Sequence, residues 1–98
     1  MTPRFVFREE AYAEVVDAKE WYAAQAPGLD LEFARAVDAA LATVARFPEG
    51  FPLIDRDIRR VLLRRFPYQL LYYHEGDDLV VLACFHHRRD PQSWRSRR

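Results

Sequence analysis

The stretch RRVLLRRFPYQLLYYHEGDDLVVLACFHH, residues 59–87, decides the fold. Its β-branched, leucine and aromatic residues form three short runs, at 59–66, 68–75 and 79–87, separated by Pro67 and by the turn signal Gly76-Asp77-Asp78. Links this short leave no room for a crossover, so three strands are expected as an antiparallel meander. In the first of them Arg59, Val61, Leu63 and Arg65 share one face, and Arg60, Leu62, Arg64 and Phe66 the other. Both faces are apolar in the middle and carry arginine near the ends. A sheet covered on one side alone would alternate apolar with polar residues, so the second face needs a cover as well. A homodimer partner, a peptide from another protein, and the chain's own C-terminal segment folding back through Trp94 all meet that need. Of these the peptide is the favoured expectation.

Upstream, Phe5-Val6-Phe7 between Arg4 and Arg8 predicts a first strand. From 9 to about 26, Tyr12, Val15, Val16, Lys19, Tyr22 and Ala23 recur at helical steps, with Glu9 and Glu10 placed to meet the positive end of a helix dipole. Pro27-Gly28 stops that helix and leaves room only for a tight connection. Phe33, Val37, Ala40, Leu41 and Val44 mark the stripe of a second helix, starting near Leu29 or Asp30 and ended by Pro48, and the two make a helical hairpin. Pro48-Glu49-Gly50-Phe51-Pro52 has turn chemistry and carries the chain into the meander. The expected fold is α+β, in the order β-α-α-β-β-β, with the hairpin packed on a small antiparallel sheet. The 98 residues, half of them hydrophobic, suit one domain over 1–98, with 92–98 as a flexible basic tail.

Composition narrows the function classes. Apolar residues come only in short runs and no charged-then-apolar leader is visible, so a cytoplasmic domain without a membrane span is expected. Cys84 is the only cysteine and sits inside an apolar run, where it reads as a buried small hydrophobe. With it, His74, His86 and His87 lack paired ligand spacing, so neither a metal nor a cofactor is expected. The formal charge of zero conceals an asymmetry: up to Ile54 nine acids face five bases, whereas from Asp55 onward ten arginines face six acids. Every one of those late bases is arginine, whose fork suits carboxylate or phosphate.

Several phrases occur together in register: Trp21-Tyr22, Pro27-Gly28-Leu29, Phe33, Pro48 with Phe51-Pro52, Ile58-Arg59-Arg60, Arg64-Arg65-Phe66-Pro67-Tyr68, and His86-His87-Arg88-Arg89-Asp90-Pro91. Through them nearly the whole chain resembles the plasmid-stabilisation toxins of the RelE/ParE superfamily, and most of all the ParE branch. The resemblance implies the toxin of a type II toxin–antitoxin pair, held inactive in a hetero-oligomer by a cognate antitoxin whose acidic C-terminal segment wraps it as helix and strand. It also makes Arg59, Arg60, Arg64, Arg65, Tyr72, Tyr73, Arg88 and Arg89 the expected antitoxin- or target-binding residues.

Two mechanisms live on this fold, and fold alone does not choose between them. RelE-like members cut messenger RNA on the ribosome, whereas ParE-like members poison DNA gyrase without chemistry of their own. RNA cleavage through the 2′-hydroxyl needs a base, an acid and fixed cations around the phosphate. His86 and His87 are the candidates for proton exchange, and Arg88 or Arg89 with Arg64 or Arg65 for holding the phosphate. The ribonuclease branch usually carries sheet lysines and a C-terminal tyrosine, but here no Lys follows Lys19 and no Tyr follows Tyr73. Gyrase is therefore the expected target and the ribosome the alternative, with a binding module that has lost toxicity as a third class. Asp90 before Pro91 is expected to form a salt-bridged turn.

Overall fold

The computed structural model describes residues 3–89 and 91–98, and for 91 and 92 the backbone alone. Two helices, α1 (Glu9–Gln25) and α2 (Leu29–Arg46), follow the first strand β1 (Arg4–Phe7). Gly28 makes their tight link possible by adopting φ 87°, a left-handed conformation that costs a residue without Cβ nothing. Then come β2 (Leu53–Asp55), β3 (Ile58–Leu62), β4 (Tyr68–Glu75) and β5 (Asp78–His86), and a C-terminal 3-10 segment over Pro91–Arg97. The strands lie in the order β1-β5-β4-β3-β2.

The meander β3-β4-β5 is antiparallel throughout, as the short links require. The sheet as a whole is mixed, because β1 returns to the far edge and pairs with β5 in parallel, from Arg4↔Asp78 to Phe7↔Val81. An additional short strand, β2, lies in the stretch that follows the expected turn and pairs antiparallel with β3. Arg56, at φ 49°, makes the bend between them.

The hairpin covers one sheet face. On α2 the expected stripe is the buried one: Phe33, Val37, Ala40, Leu41 and Val44. On α1 the stripe is rotated from expectation, since Ala11 and Ala18 are the buried residues and Tyr12 is 63% exposed. Small side chains let α1 approach the sheet closely, with Val15 and Tyr22 packed at the margin of the core. At the end where the β3–β4 turn meets the hairpin, Tyr22, Phe33, Phe66 and Tyr68 form an aromatic cluster with centroid separations between 4.9 and 6.1 Å. Offset and edge-to-face rings at such distances add to the energy of area burial alone.

The second sheet face carries its own apolar cluster of Ile58, Leu71, Tyr73, Val80, Leu82, Ala83 and Phe85. Its cover is a correction to the sequence reading: the chain's own Trp94, 2% exposed, lies on this face where a foreign peptide was favoured. The segment 92–98, expected as a flexible tail, is also tied down by ion pairs. Arg97 bonds Glu14 through both terminal nitrogens, at 2.8 and 2.9 Å. Arg98 bonds Asp57 at 2.7 Å and lies 3.6 Å over the Tyr73 ring. An indole buries enough apolar area to hold such a segment on this face.

Candidate functional site

The residues singled out in the sequence separate into three groups. Arg59 is inward-turned scaffolding: its Nη1 donates to Phe51 O at 2.6 Å and to Glu49 O at 3.2 Å, clamping the turn that leads into β2. Tyr72 is 1% exposed, and its hydroxyl donates to Pro48 O at 2.7 Å, securing the other side of that turn. Burial pushes its phenol up to about 12. Tyr73 is 2% exposed beneath the C-terminal segment. Tyr72 and Tyr73 are buried, and Arg59 is half-buried with its guanidinium engaged by two carbonyls, so all three serve the fold.

A second group gathers where β5 ends. His86 Nδ1 accepts the backbone N–H of Arg88 at 3.0 Å, and its ring stands edge-on to Tyr68 at 5.3 Å. The His87 N–H donates to Pro67 O, and its ring is exposed 6.5 Å from that of His86. Arg88 is exposed, while Arg89 bonds Glu14 Oε2 at 2.9 Å. Asp90 lies outside the described residues, so the salt-bridged turn expected there stays an expectation. Beside this group opens a cleft of about 560 Å3, walled by Trp21 and Asp17 of α1 on one side and by Pro67, Tyr68, His86 and Arg89 on the other. On the opposite sheet face, Arg60, His87, Arg89 and Arg95 border a smaller recess of about 230 Å3 beside Trp94.

The third group is Arg64 and Arg65, exposed at the β3–β4 turn, where Arg65 adopts φ 70°. They meet Arg35 of α2 around a recess of about 330 Å3. Among the described residues, none of these three guanidiniums has a hydrogen bond or an ion pair. Glu32 lines the same recess, and guanidinium forks of this kind are suited to carboxylates.

Glu14 was missed. The sequence reading did not single it out, yet its carboxylate accepts from Cys84 N, Arg89 and Arg97 and is 11% exposed. The signal was its spacing, three after Ala11 and four before Ala18, which places it on the buried face of α1. Arg35 was missed because nothing in its helix distinguishes it from a solvated surface residue.

Cys84 is buried and its thiol is pushed up to about 12 from an ordinary 9.0, first by burial and then by the Glu14 charge. An unfolded thiol ionises near 9 while the native one keeps its proton, so stability falls as pH rises through that interval. Between about pH 8 and about pH 10 the wild type should lose about 1.4 kcal/mol more than Cys84→Ala, as measured by urea denaturation. Parallel losses would show that the thiol ionises as readily in the folded state as in the unfolded one.

Among the described residues no three His, Cys, Asp or Glu side chains come together as a metal site, and no helix is long and apolar enough to cross a membrane. A family model described as "ParE toxin of type II toxin-antitoxin system, parDE" matches residues 5–91. Among solved structures, "Chromosomal ParDE TA system from P. aeruginosa" aligns with a TM-score of 0.74 at 15% identity, covering 87% of this chain and 96% of that one. No curated protein sequence matches the chain.

Proposed function

Because the chain belongs to the ParE toxin family of type II toxin–antitoxin systems, we propose that it acts on DNA gyrase by binding, with no bond-making of its own. Membership implies an antitoxin as its partner, and the unpaired Arg35, Arg64 and Arg65 are suited to that partner's carboxylates.

The observation that supports a non-enzymatic target is the way the groups needed for RNA cleavage are occupied. A base and an acid must both reach the phosphate, with free cations around it. His86 has its Nδ1 engaged by Arg88 N–H, and Arg89 is bonded to Glu14, a carboxylate it shares with Arg97. Arg64 and Arg65 line recesses with α2 residues, while His87 lines the recess beside Trp94 with Arg89, and this separation of the expected cations supports the non-enzymatic reading. One observation favours a second reading: Arg60, Arg89, Arg95 and His87 border one recess, a set of cations beside an imidazole that suits a phosphate. That arrangement would serve a ribosome-dependent ribonuclease, with His87 as the imidazole in the recess.

The test is expression of the chain alone from a tightly repressed promoter, following incorporation of labelled thymidine and methionine in the first minutes. DNA synthesis is expected to stop first, with strand breaks accumulating. Protein synthesis stopping first would overturn the gyrase target and make His87, Arg60 and Arg95 the residues to replace. Continued growth would remove both.

A further inference from the structure

One end of the second sheet face is cationic. Arg60 shares the parity of Ile58 on β3, Gln69 that of Leu71 on β4, and His87 that of Phe85 where β5 ends, so all three project from the face on which Trp94 lies. Arg95, carried there by the C-terminal segment, stands 5.3 Å over the Trp94 ring. With Arg89 these residues border the recess of about 230 Å3, whose aromatic lining is Phe85 and Trp94.

Among the described residues no carboxylate lines this recess, whereas Glu32 borders the one around Arg35, Arg64 and Arg65. Arg89 is bonded to Glu14, but Arg60 and Arg95 have no hydrogen bond or ion pair among the described residues. Arg88 is exposed between His87 and Arg89 and widens the cationic surface. Arg60 on β3 and Arg89 beyond β5 are anchored two strand spacings apart, about 10 Å, which spreads the charge along a line as a chain of phosphates spreads its own. The two rings in the lining are buried, Trp94 at 2% and Phe85 at 4%, so neither offers a face on which a base could stack. Single-stranded RNA is recognised chiefly through such stacking, while arginine forks grip a duplex backbone without it.

We infer that Arg60, Arg89 and Arg95 around this recess hold the phosphate backbone of duplex DNA, without contact to base edges and without sequence preference. The inference rests on the gyrase reading, in which the toxin meets the enzyme together with its DNA, and gives this face a part in that encounter. Arginine supplies paired hydrogen bonds to the phosphate oxygens, and the Gln69 amide adds a donor between the two sides of the recess. Trp94 covers the apolar surface beside the recess, so charge is left to hold the ligand, and duplex DNA presents a denser line of negative charge than an acidic peptide does. The chain as a whole has a formal charge of zero, so attraction to DNA must come from this local cluster and not from the total.

The experiment measures binding of the purified full chain to a labelled mixed-sequence DNA duplex by fluorescence anisotropy, between about 50 and 200 mM salt. Arg60→Ala with Arg95→Ala is expected to weaken binding by roughly 10- to 100-fold and to lower the slope of log affinity against log salt by about two, one for each lost phosphate contact. Lys19→Ala with Arg46→Ala removes the same charge from the helices and is expected to leave the slope unchanged. Because Arg95 lies over Trp94, Arg60→Glu serves as a second variant that reverses an exposed charge without touching the C-terminal segment. Inhibition of gyrase supercoiling, measured on the same proteins, keeps the two readings apart. A wild type that inhibits gyrase while all these variants bind DNA alike would overturn the recess and leave the target intact. A wild type that leaves gyrase active while its DNA binding depends on Arg60 and Arg95 would remove the target and keep the recess. Absence of duplex binding by the wild type, with inorganic phosphate or poly-glutamate bound in its place, would overturn the inference. Tighter binding of single-stranded RNA, lost in the Arg60 and Arg95 variants, would assign the recess to RNA and overturn it equally.

Discussion

Trp94→Ala is expected to lower the unfolding free energy by about 3–5 kcal/mol, the usual cost of emptying a buried indole site. Trp94 is 2% exposed and closes the apolar face formed by Leu71, Tyr73, Val80, Leu82 and Phe85. Removing it returns that face to water as well as opening a cavity. A domain of this size has only about 5–15 kcal/mol of stability to lose, so Tm should fall by roughly 15 °C or more. Trp94→Phe separates packing from polarity. Nε1 of Trp94 is buried with no hydrogen-bond partner among the described residues, so phenylalanine keeps an apolar ring and removes an unsatisfied donor. Its cost should stay within about 1 kcal/mol. Trp21 is 57% exposed, so a Trp21→Phe background isolates the Trp94 emission, which should be blue-shifted in the native state. An alanine variant that loses less than about 0.5 kcal/mol, the range of a surface substitution, would show that the C-terminal segment does not dock in solution.

The second face explains how far the sequence could be read. Its need for a cover was legible, because β4 and β5 are apolar on both sides; the identity of the cover was not. A single tryptophan among arginines near the end of the chain gives no periodic signal, and its docking depends on Glu14 and Asp57, far away in sequence. The stripe of α2 was legible because five large or branched residues repeat at helical spacing. The stripe of α1 was not, because its buried residues are alanines and its larger side chains, Tyr12 and Trp21, point outward. In β5 the simple alternation breaks at a bulge: Leu71↔Ala83 is followed by Tyr72↔Val81, so Leu82 has no partner and both Leu82 and Ala83 join the second face. No local composition marks such an insertion. The parallel pairing of β1 was equally hidden, since it is decided by where the hairpin returns the chain and not by the strand's own residues. The arginines show the same division. Their number was plain, but only the fold tells Arg59, bonded to two carbonyls, from Arg64 and Arg65, which have no partner among the described residues. The phrases that carried the family resemblance have a physical basis in part, because Tyr22, Phe33, Phe66 and Tyr68 converge in one aromatic cluster.

Glu14→Ala is expected to cost about 3–5 kcal/mol, the range found when one partner of a buried ion pair is removed. The carboxylate and the Arg97 side chain are each 11% exposed, and Arg97 would be left with the Leu82 carbonyl as its remaining acceptor. The amide of Cys84, at 3.0 Å from Oε1, would lose its acceptor too. There is a ceiling on the loss, however. Arg97 stands near the end of the chain, and the segment that carries it can detach and return the guanidinium to water. The penalty then cannot exceed the docking free energy of that segment by more than the cost of the Cys84 amide. Trp94 is the main apolar contributor to the same docking. The double variant Glu14→Ala with Trp94→Ala should therefore cost less than the sum of the single changes, by about 1 kcal/mol or more, because the segment can be released only once. Glu14→Gln, which keeps an acceptor for Cys84 N but gives up the charge, should fall between wild type and alanine. Denaturation of the four proteins of the cycle, with Glu14→Gln replacing Glu14→Ala if the double variant does not fold, measures the coupling. Additivity within about 0.5 kcal/mol would mean that Glu14 and Trp94 stabilise separate parts of the molecule, and the carboxylate would then be an anchor for Cys84 and Arg89 alone.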